Sequence, residues 1–199
     1  MKLHIFGASG SGVTTLGQSL AEKLGLKYLD SDDYFWFNTE PPFTNRRNSN
    51  DRNQLVLKDI NETKYWILGG SIICWGDNIF PNFDLIIFLY LPNEIRIERL
   101  KKRELERYGD IIYTNEKRVK QFNDFVAWAT DYDNNTGLAN RTLIAHKIWL
   151  TQTKNPVLEI IGDLTLDEKL KLILDRLHLM QTGTLDESAD STRQCNILI

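Results

Sequence analysis

A glycine-rich segment near the N-terminus has residue types and spacing that suit the binding of phosphate groups. It reads Gly7-Ala8-Ser9-Gly10-Ser11-Gly12-Val13-Thr14-Thr15. Backbone N–H groups can all point inward only with unusual dihedral angles, which glycine tolerates. The hydroxyl of Thr14 stands where such loops coordinate magnesium. We therefore predict that residues 7–15 hold the phosphates of a nucleoside triphosphate; the alternative is a flexible glycine turn without a ligand.

The loop departs from the usual phosphate-binding pattern at one position. The pattern G-x-x-x-x-G-K-[ST] has a lysine where this chain has Val13. That lysine normally meets the β- and γ-phosphates, so its loss removes a positive charge from the group that would be transferred. Two interpretations stay open: an arginine from elsewhere replaces the lysine, or the protein binds a nucleotide without efficient transfer.

The elements around the loop predict how it is positioned. Residues 2–6 are apolar and β-prone and lead directly into the glycines, while the apolar positions after Val13 recur at helical spacing up to Gly25. A strand, a tight loop and a helix in this order direct several N–H groups and the positive end of the helix dipole at one point.

Five apolar runs alternate with helical patterns along the chain, which predicts a parallel sheet covered on both faces. We expect one α/β domain over residues 1–180, a three-layer, doubly wound, five-stranded sheet, and a flexible polar tail over 181–199. Residues 31–54 are rich in turn residues. The predicted strands are 2–6, 27–29, 65–68, 84–91 and 156–161. The predicted helices begin near residues 13, 54, 93, 116, 138 and 165.

Composition excludes several other classes of protein. Of the 199 residues, 42% are hydrophobic and 26% are charged, with a net charge of −3, which disfavours a duplex-binding surface. Cys74 and Cys195 have no metal-ligand spacing and suggest a reducing, cytoplasmic compartment. No apolar run approaches the roughly 20 residues that a membrane-spanning helix needs.

Further motifs give the sequence a family resemblance. Together with the loop, the stretches at residues 29–36, 41–44, 70–71, 75–77 and 99–104 resemble the adenylate-kinase-related P-loop kinases. The chain is most similar to a bacterial branch that also tends to lack the P-loop lysine; shikimate kinases and nucleoside monophosphate kinases are related. The resemblance implies ATP with magnesium, an acceptor-binding region at about 34–64 and a mobile helical lid near 103–150 that would close over the substrates.

The resemblance also implies roles for two carboxylates and two arginines. Asp30 and Asp32 follow the second strand with the spacing of shikimate-type kinases, which implies that Asp30 helps to hold magnesium and Asp32 meets the acceptor hydroxyl as an orienting group or base. Arg99 and Arg103 lie one helical turn apart, as lid arginines that clamp the transferred phosphoryl group would. The alternatives are a solvated acidic turn and a solvated helix face.

Other candidate residues concern the acceptor. Arg46 and Arg47 would suit an acceptor that carries a phosphate or carboxylate, and Gly70, at the end of the third strand, would let the backbone approach it. An exposed arginine pair and a plain turn are equally consistent with these residues. His4 is expected in the core, and His146 is not expected to act directly in the chemistry.

These observations favour a phosphotransferase that moves a phosphoryl group from ATP to a small acceptor, a nucleotide or nucleoside rather than shikimate. The catalytic candidates are Asp32, Arg99 and Arg103, and the metal candidates are Thr14 and Asp30. One alternative is a regulatory protein that binds nucleotide with little turnover, which Val13 supports. Another is a factor associated with DNA topology, which the acidic composition disfavours.

Overall fold

A computed structural model describes residues 1–40, 42–76 and 79–183. Its centre is a five-stranded, entirely parallel sheet in the order β2-β3-β1-β4-β5. The predicted fold class is confirmed. The strands are β1 (Lys2–Gly7), β2 (Lys27–Asp30), β3 (Trp66–Gly69), β4 (Leu85–Tyr90) and β5 (Val157–Ile161), and the helices are α1 (Val13–Leu24), α2 (Ser31–Phe35), α3 (Ser49–Glu62), α4 (Asn93–Tyr108), α5 (Ile111–Thr114), α6 (Glu116–Asn134), α7 (Leu143–Gln152) and α8 (Leu166–Thr182).

Alternate residues of the central strand supply two separate cores. Leu3 and Ile5 face a cluster that α1 and α8 complete, and Phe6 faces a second cluster with side chains of α3 and α7. Because side chains alternate along a strand, one apolar run can serve helix layers on both faces. This three-layer arrangement holds the carboxyl ends of β1, β2 and β3 side by side.

The structure corrects the prediction of a long turn-rich stretch over residues 31–54. Ser31–Phe35 forms the short helix α2, because the Asp30 side chain accepts a hydrogen bond from the backbone N–H of Asp32. Helix α3 already begins at Ser49, where the Asn48 side chain accepts from the N–H of Asp51. Polar residues that suggest turns therefore act here as helix N-caps.

Helix α7 and the C-terminus also differ from the expectation. Leu143, Trp149 and Leu150 pack against the core cluster around Phe6. This puts the last part of the expected lid in the body of the domain, so movement is a hypothesis only for the part before α7. The predicted tail begins within α8, which ends at Thr182, and its residues 184–199 lie outside the described residues.

Within the described part of the chain, no helix combines the length and apolar character needed to cross a membrane.

Candidate active site

A cleft of about 510 Å³ lies at the carboxyl ends of β1, β2 and β3. This is the edge of an open parallel sheet where ligands bind, and the volume is in the range of small-molecule sites. Its walls carry five arginines but only two carboxylates, so they suit an anionic ligand. The lining includes Gly7, Ala8, Ser9, Gly10, Gly12, Val13, Thr14, Thr15, Asp30, Asp32, Gly70, Arg96, Arg99, Arg103, Arg107, Arg141 and His146.

The glycine-rich loop has the backbone conformation that inward-facing N–H groups require. Gly10 and Gly12 have φ angles of 86° and 92°, a region that residues with a side chain rarely adopt. Gly12 is the N-cap of α1 and makes no side-chain capping hydrogen bond. The N–H groups of the first helical turn have no partner within the helix, so they are available to an anion in the cleft.

Close neighbours fix the loop against the sheet. A Cβ atom added at Gly7 would lie 2.4 Å from the Leu89 carbonyl oxygen, and one at Gly10 would lie 2.9 Å from the Arg96 carbonyl oxygen. Ser11 is the one predicted loop residue that does not line the cleft. Its hydroxyl is buried and has no hydrogen-bond partner among the described residues. Ser11 therefore belongs to the packing of the loop.

Thr14 and Asp30 meet at the floor of the cleft. The Thr14 hydroxyl donates to Oδ2 of Asp30 over 3.2 Å, while Oδ1 of Asp30 accepts from the Asp32 N–H over 3.0 Å. No group of three or more His, Cys, Asp or Glu side chains in the described ranges could hold a metal by itself. Magnesium is commonly held by one or two protein oxygens together with substrate phosphates. Thr14 and Asp30 beside a phosphate loop fit this pattern.

Asp32 borders the cleft next to Asp30. Desolvation raises the pKa of Asp32, and the charge of Asp30 raises it further. The Arg141 guanidinium and a hydrogen bond with the Trp36 side chain act in the opposite direction. A carboxyl group with this balance loses its proton more readily once a cation or donor approaches. Its position and environment suit a group that accepts a proton from an acceptor hydroxyl.

Three arginines of α4 form one wall of the cleft. Arg99, Arg103 and Arg107 follow each other at one-turn intervals, and all three line it. Arg99 pairs with Asp163 over 2.5 Å, and Arg103 and Arg107 share Glu104 at 3.1 and 3.7 Å. These surface pairs are weak, so a polyphosphate can take the carboxylates' place.

Arg96 supports the phosphate loop from behind. The side chain is fully buried, and Nη1 donates to the carbonyl oxygens of Ser9 at 3.2 Å and Ala129 at 2.9 Å. Nη2 donates to Asn93 and to the carboxylate of Asp133. Arg96 thus joins the loop to α4 and α6. In the sequence it is one of several arginines in a charged helix, and spacing alone does not separate it from the others.

Arg141, which the sequence did not single out, lines the cleft, and its charge acts on Asp32. Arg47 is turned away from the cleft, because Nη1 donates to the Trp36 carbonyl oxygen over 3.0 Å. The Arg46 guanidinium lies over the Phe35 and Trp36 rings, 5.7 and 5.4 Å from their centres, and does not line the cleft. Arg141 lines the cleft and lies 4.9 Å from the Phe35 ring centre. Neither Arg46 nor Arg47 lines the cleft, so their role at the acceptor stays a prediction.

His4 and His146 differ in their relation to the cleft. His4, on strand β1, is fully buried in the core, as expected. His146 is also buried but lines the cleft, with Nε2 3.1 Å from the Ser71 hydroxyl and Nδ1 2.9 Å from the Tyr132 hydroxyl. Desolvation and the nearby charge of Arg141 lower the pKa of His146 to about 3. His146 is therefore neutral near pH 7 and serves as a hydrogen-bonding link between α7 and the end of β3.

Asp131 organises the segment that carries Arg141. Its carboxylate is buried and accepts from the Thr136 N–H and hydroxyl, each at 2.6 Å, and from the Ala139 N–H at 2.7 Å. These hydrogen bonds, the one from the Thr136 side chain first, lower the pKa of Asp131 to about 2. Asp131 is thus the internal support of the turn between α6 and α7.

Replacing Asp131 with asparagine is expected to lower the melting temperature near neutral pH. A carboxylate with a lowered folded-state pKa stabilises the protein above its unfolded-state pKa, and this contribution disappears as the pH falls towards the folded-state value. The difference between wild type and Asp131→Asn should therefore shrink between about pH 4 and 2. Asp124→Asn, which removes an exposed ion pair with Lys120 on the same helix, is the control. An equal, pH-independent difference for both variants would contradict this role.

Comparison with known proteins identifies the family. The model of a family described as an AAA domain (AAA_18) matches residues 4–121, more than half of the chain. The chain belongs to this family of P-loop proteins. The matched part contains the phosphate loop, Asp30 and Asp32 but ends before Arg141.

Curated relatives of this AAA-domain chain include small-molecule kinases. It is 39% identical to the uncharacterized protein YqaC of Bacillus subtilis over 175 residues, 88% of the chain and 96% of YqaC. It is 29% identical to cytidylate kinase of Archaeoglobus fulgidus over 52% of the chain and 62% of that enzyme. It is also 29% identical to shikimate kinase of Acinetobacter baumannii, over 49% of the chain and 59% of that enzyme. The match thus spans about three-fifths of either kinase.

Solved kinase structures share the fold of the AAA-domain chain. Shikimate kinase from Bacteroides thetaiotaomicron superimposes with a TM-score of 0.51 at 18% identity, over 90% of this chain and 99% of that one. Deoxyadenosine kinase from M. mycoides gives a TM-score of 0.50 at 15% identity, over 89% and 100%. The resemblance to P-loop small-molecule kinases that the motifs predicted is confirmed.

Proposed function

We propose that this protein transfers the γ-phosphoryl group of ATP, with magnesium, to a small acceptor, a nucleotide or nucleoside. The observation that carries the proposal is the meeting of three groups in one cleft. The phosphate loop, the Thr14–Asp30 pair and the Asp32 carboxylate all border it. An anion-binding loop, oxygen ligands for a cation and a candidate base are the parts that phosphoryl transfer requires.

In the proposed reaction the loop amides and the N-terminus of α1 hold the phosphates. Thr14 and Asp30 would hold magnesium, which when bound offsets phosphate charge. Asp32 orients the acceptor hydroxyl and accepts its proton as the oxygen attacks the γ-phosphorus and the bond to the β-phosphate oxygen breaks. Closure of the predicted lid, in the part that precedes α7, would exclude water, so that the phosphoryl group reaches the acceptor.

Arginines supply the charge that the missing lysine would have provided. Val13 is apolar and packs against the core cluster around Leu3. It therefore brings no charge to the phosphates. Arg103 is the proposed substitute, with Arg99 and Arg107 supporting it, because all three line the cleft. The guanidinium groups must exchange Glu104 or Asp163 for the phosphates when ATP binds.

The acceptor side suits an anionic molecule with a planar part. Three guanidinium groups, those of Arg46, Arg52 and Arg141, lie 4.9 to 6.0 Å from the Phe35 ring centre, and of these three Arg141 lines the cleft. No carboxylate of the described residues forms an ion pair with any of them. A phosphate on the acceptor would find paired donors at Arg141. The cytidylate kinase relative supports a nucleotide acceptor.

The test is a panel of nucleosides, nucleoside monophosphates and small alcohols, each incubated with ATP and magnesium and analysed by product mass. We expect a mass gain of one phosphoryl group on a nucleotide or nucleoside. ATP binding in calorimetry without transfer to any acceptor would instead select the regulatory alternative, which Val13 favours. Absence of ATP binding would reject both.

A further inference from the structure

We propose that Tyr28 is a positioning residue that holds the Asp30 carboxylate in its magnesium-binding orientation, an inference that rests on the proposed function. Tyr28 lies on β2, two residues before Asp30, and its hydroxyl donates to Oδ2 of Asp30 over 3.2 Å. The same oxygen accepts from Thr14 over 3.2 Å. Both hydroxyl groups therefore fix one carboxylate oxygen.

The Tyr28 ring is held in place by close packing on two sides. A Cβ atom added at Gly17 of α1 would lie 2.2 Å from Cε2 of the ring, and one added at Gly69 of β3 would lie 2.0 Å from the hydroxyl oxygen. Both distances are far below van der Waals contact. The ring fills the space that these glycines leave between helix and sheet, so the hydroxyl has a fixed position.

The Tyr28 phenol is the donor in its hydrogen bond with the Asp30 carboxylate. A donor behind a metal-binding carboxylate orients it, and removal of such a partner typically weakens metal affinity about 10- to 100-fold.

Asp30 is held on both of its oxygens. Oδ1 accepts from the backbone N–H of Asp32, which fixes the carboxylate relative to α2, and Oδ2 receives Thr14 and Tyr28. A cation would bind the lone pairs of the Thr14 hydroxyl, which leaves its O–H free to stay on Oδ2, and Tyr28 is the second donor on the same oxygen. Tyr28 would thus help to keep the orientation of Asp30 when a cation binds.

The experiment compares Tyr28→Phe with Tyr34→Phe. Tyr34 is a matched control, because its hydroxyl also donates to a carboxylate, Asp59, over 2.7 Å, but it does not line the cleft. Calorimetry gives the dissociation constant of ATP with excess EDTA and with excess magnesium, and the ratio of the two is the magnesium-dependent gain. Thermal unfolding confirms that each variant is folded.

We expect the magnesium-dependent gain in ATP affinity to be about tenfold smaller in Tyr28→Phe than in the wild type, while the affinity for ATP in EDTA is unchanged. Tyr34→Phe should keep the full gain. In an Asp30→Asn background, Tyr28→Phe should cost almost nothing more, because it acts through Asp30. The inference would be overturned, with the proposed function intact, if Tyr28→Phe kept the full magnesium-dependent gain. It would also be overturned if Tyr28→Phe reduced this gain as much in the Asp30→Asn background as in the wild type. A wild-type protein that binds no ATP with magnesium would overturn both.

Discussion

ATP binding is expected to fall at least about a hundredfold, roughly 2.8 kcal/mol, when Gly12 is replaced by leucine. Gly12 is the N-cap of α1 and lines the cleft, with φ 92° and ψ 21°. A Cβ atom there would meet no protein atom within 4 Å. The leucine side chain would therefore extend into the space where the loop amides are proposed to hold phosphates.

The chain contains a matched control for this substitution at the other end of the same helix. Gly25 is the C-cap of α1, has φ 65° and ψ 37°, and its added Cβ would also meet nothing within 4 Å. Gly25→Leu therefore introduces a similar backbone strain, of about 1–2 kcal/mol, outside the cleft.

Thermal unfolding and calorimetry with ATP and magnesium separate the two effects. Both variants should lose a similar amount of stability, but only Gly12→Leu should lose ATP binding. Wild-type affinity in Gly12→Leu would refute the assignment of residues 7–15 as the phosphate-binding loop. An equal loss of affinity in both variants would attribute the effect to backbone strain alone.

Replacing Asp32 with asparagine is expected to lower kcat by about 10²–10⁴-fold, the usual contribution of a general base, while ATP affinity changes little. Asparagine keeps the size of the side chain but cannot accept the proton of the acceptor hydroxyl. Asp33→Asn is the control: Asp33 is adjacent and its pKa is also raised, by desolvation and by Asp30, but it does not line the cleft.

The pH dependence of transfer provides a second measurement for Asp32. The base form exists above its pKa, so the wild-type rate should rise with pH until Asp32 is deprotonated and then level off. Burial and the charge of Asp30 raise the pKa of Asp32 in the free protein, whereas a bound cation would lower it, so the position of this limb reports the pKa of Asp32 in the loaded site. Asp33→Asn should retain the limb, and Asp32→Asn should lose it. An unchanged profile in Asp32→Asn would exclude Asp32 as the base.

The parts of the site that could be predicted from sequence are those that local spacing defines. The glycines of the loop, Thr14 and the two carboxylates each follow a strand end within a few residues. Strand ends of a parallel sheet meet at one edge, so their convergence follows from the fold class. Gly70 lines the cleft for the same reason.

The parts that sequence could not give depend on contacts between distant segments. Arg96 bonds to Ser9, 87 residues away, and the buried hydrogen bond of His146 reaches Ser71 across 75 residues. Arg141 follows a turn that Asp131 supports from inside. The type of a charged residue does not reveal its partner, which is why the sequence pointed to Arg46 and Arg47 and did not single out Arg141, the arginine that lines the cleft.

The packing of Tyr28 has a consequence for the evolution of relatives. Because its ring occupies the volume beside Gly17 and Gly69, the three positions share one size constraint across α1, β2 and β3. A larger residue at either glycine requires a smaller one at position 28, and the phenolic donor to Asp30 is then lost. Substitutions at these positions should therefore covary, and lineages that keep both glycines should keep the tyrosine.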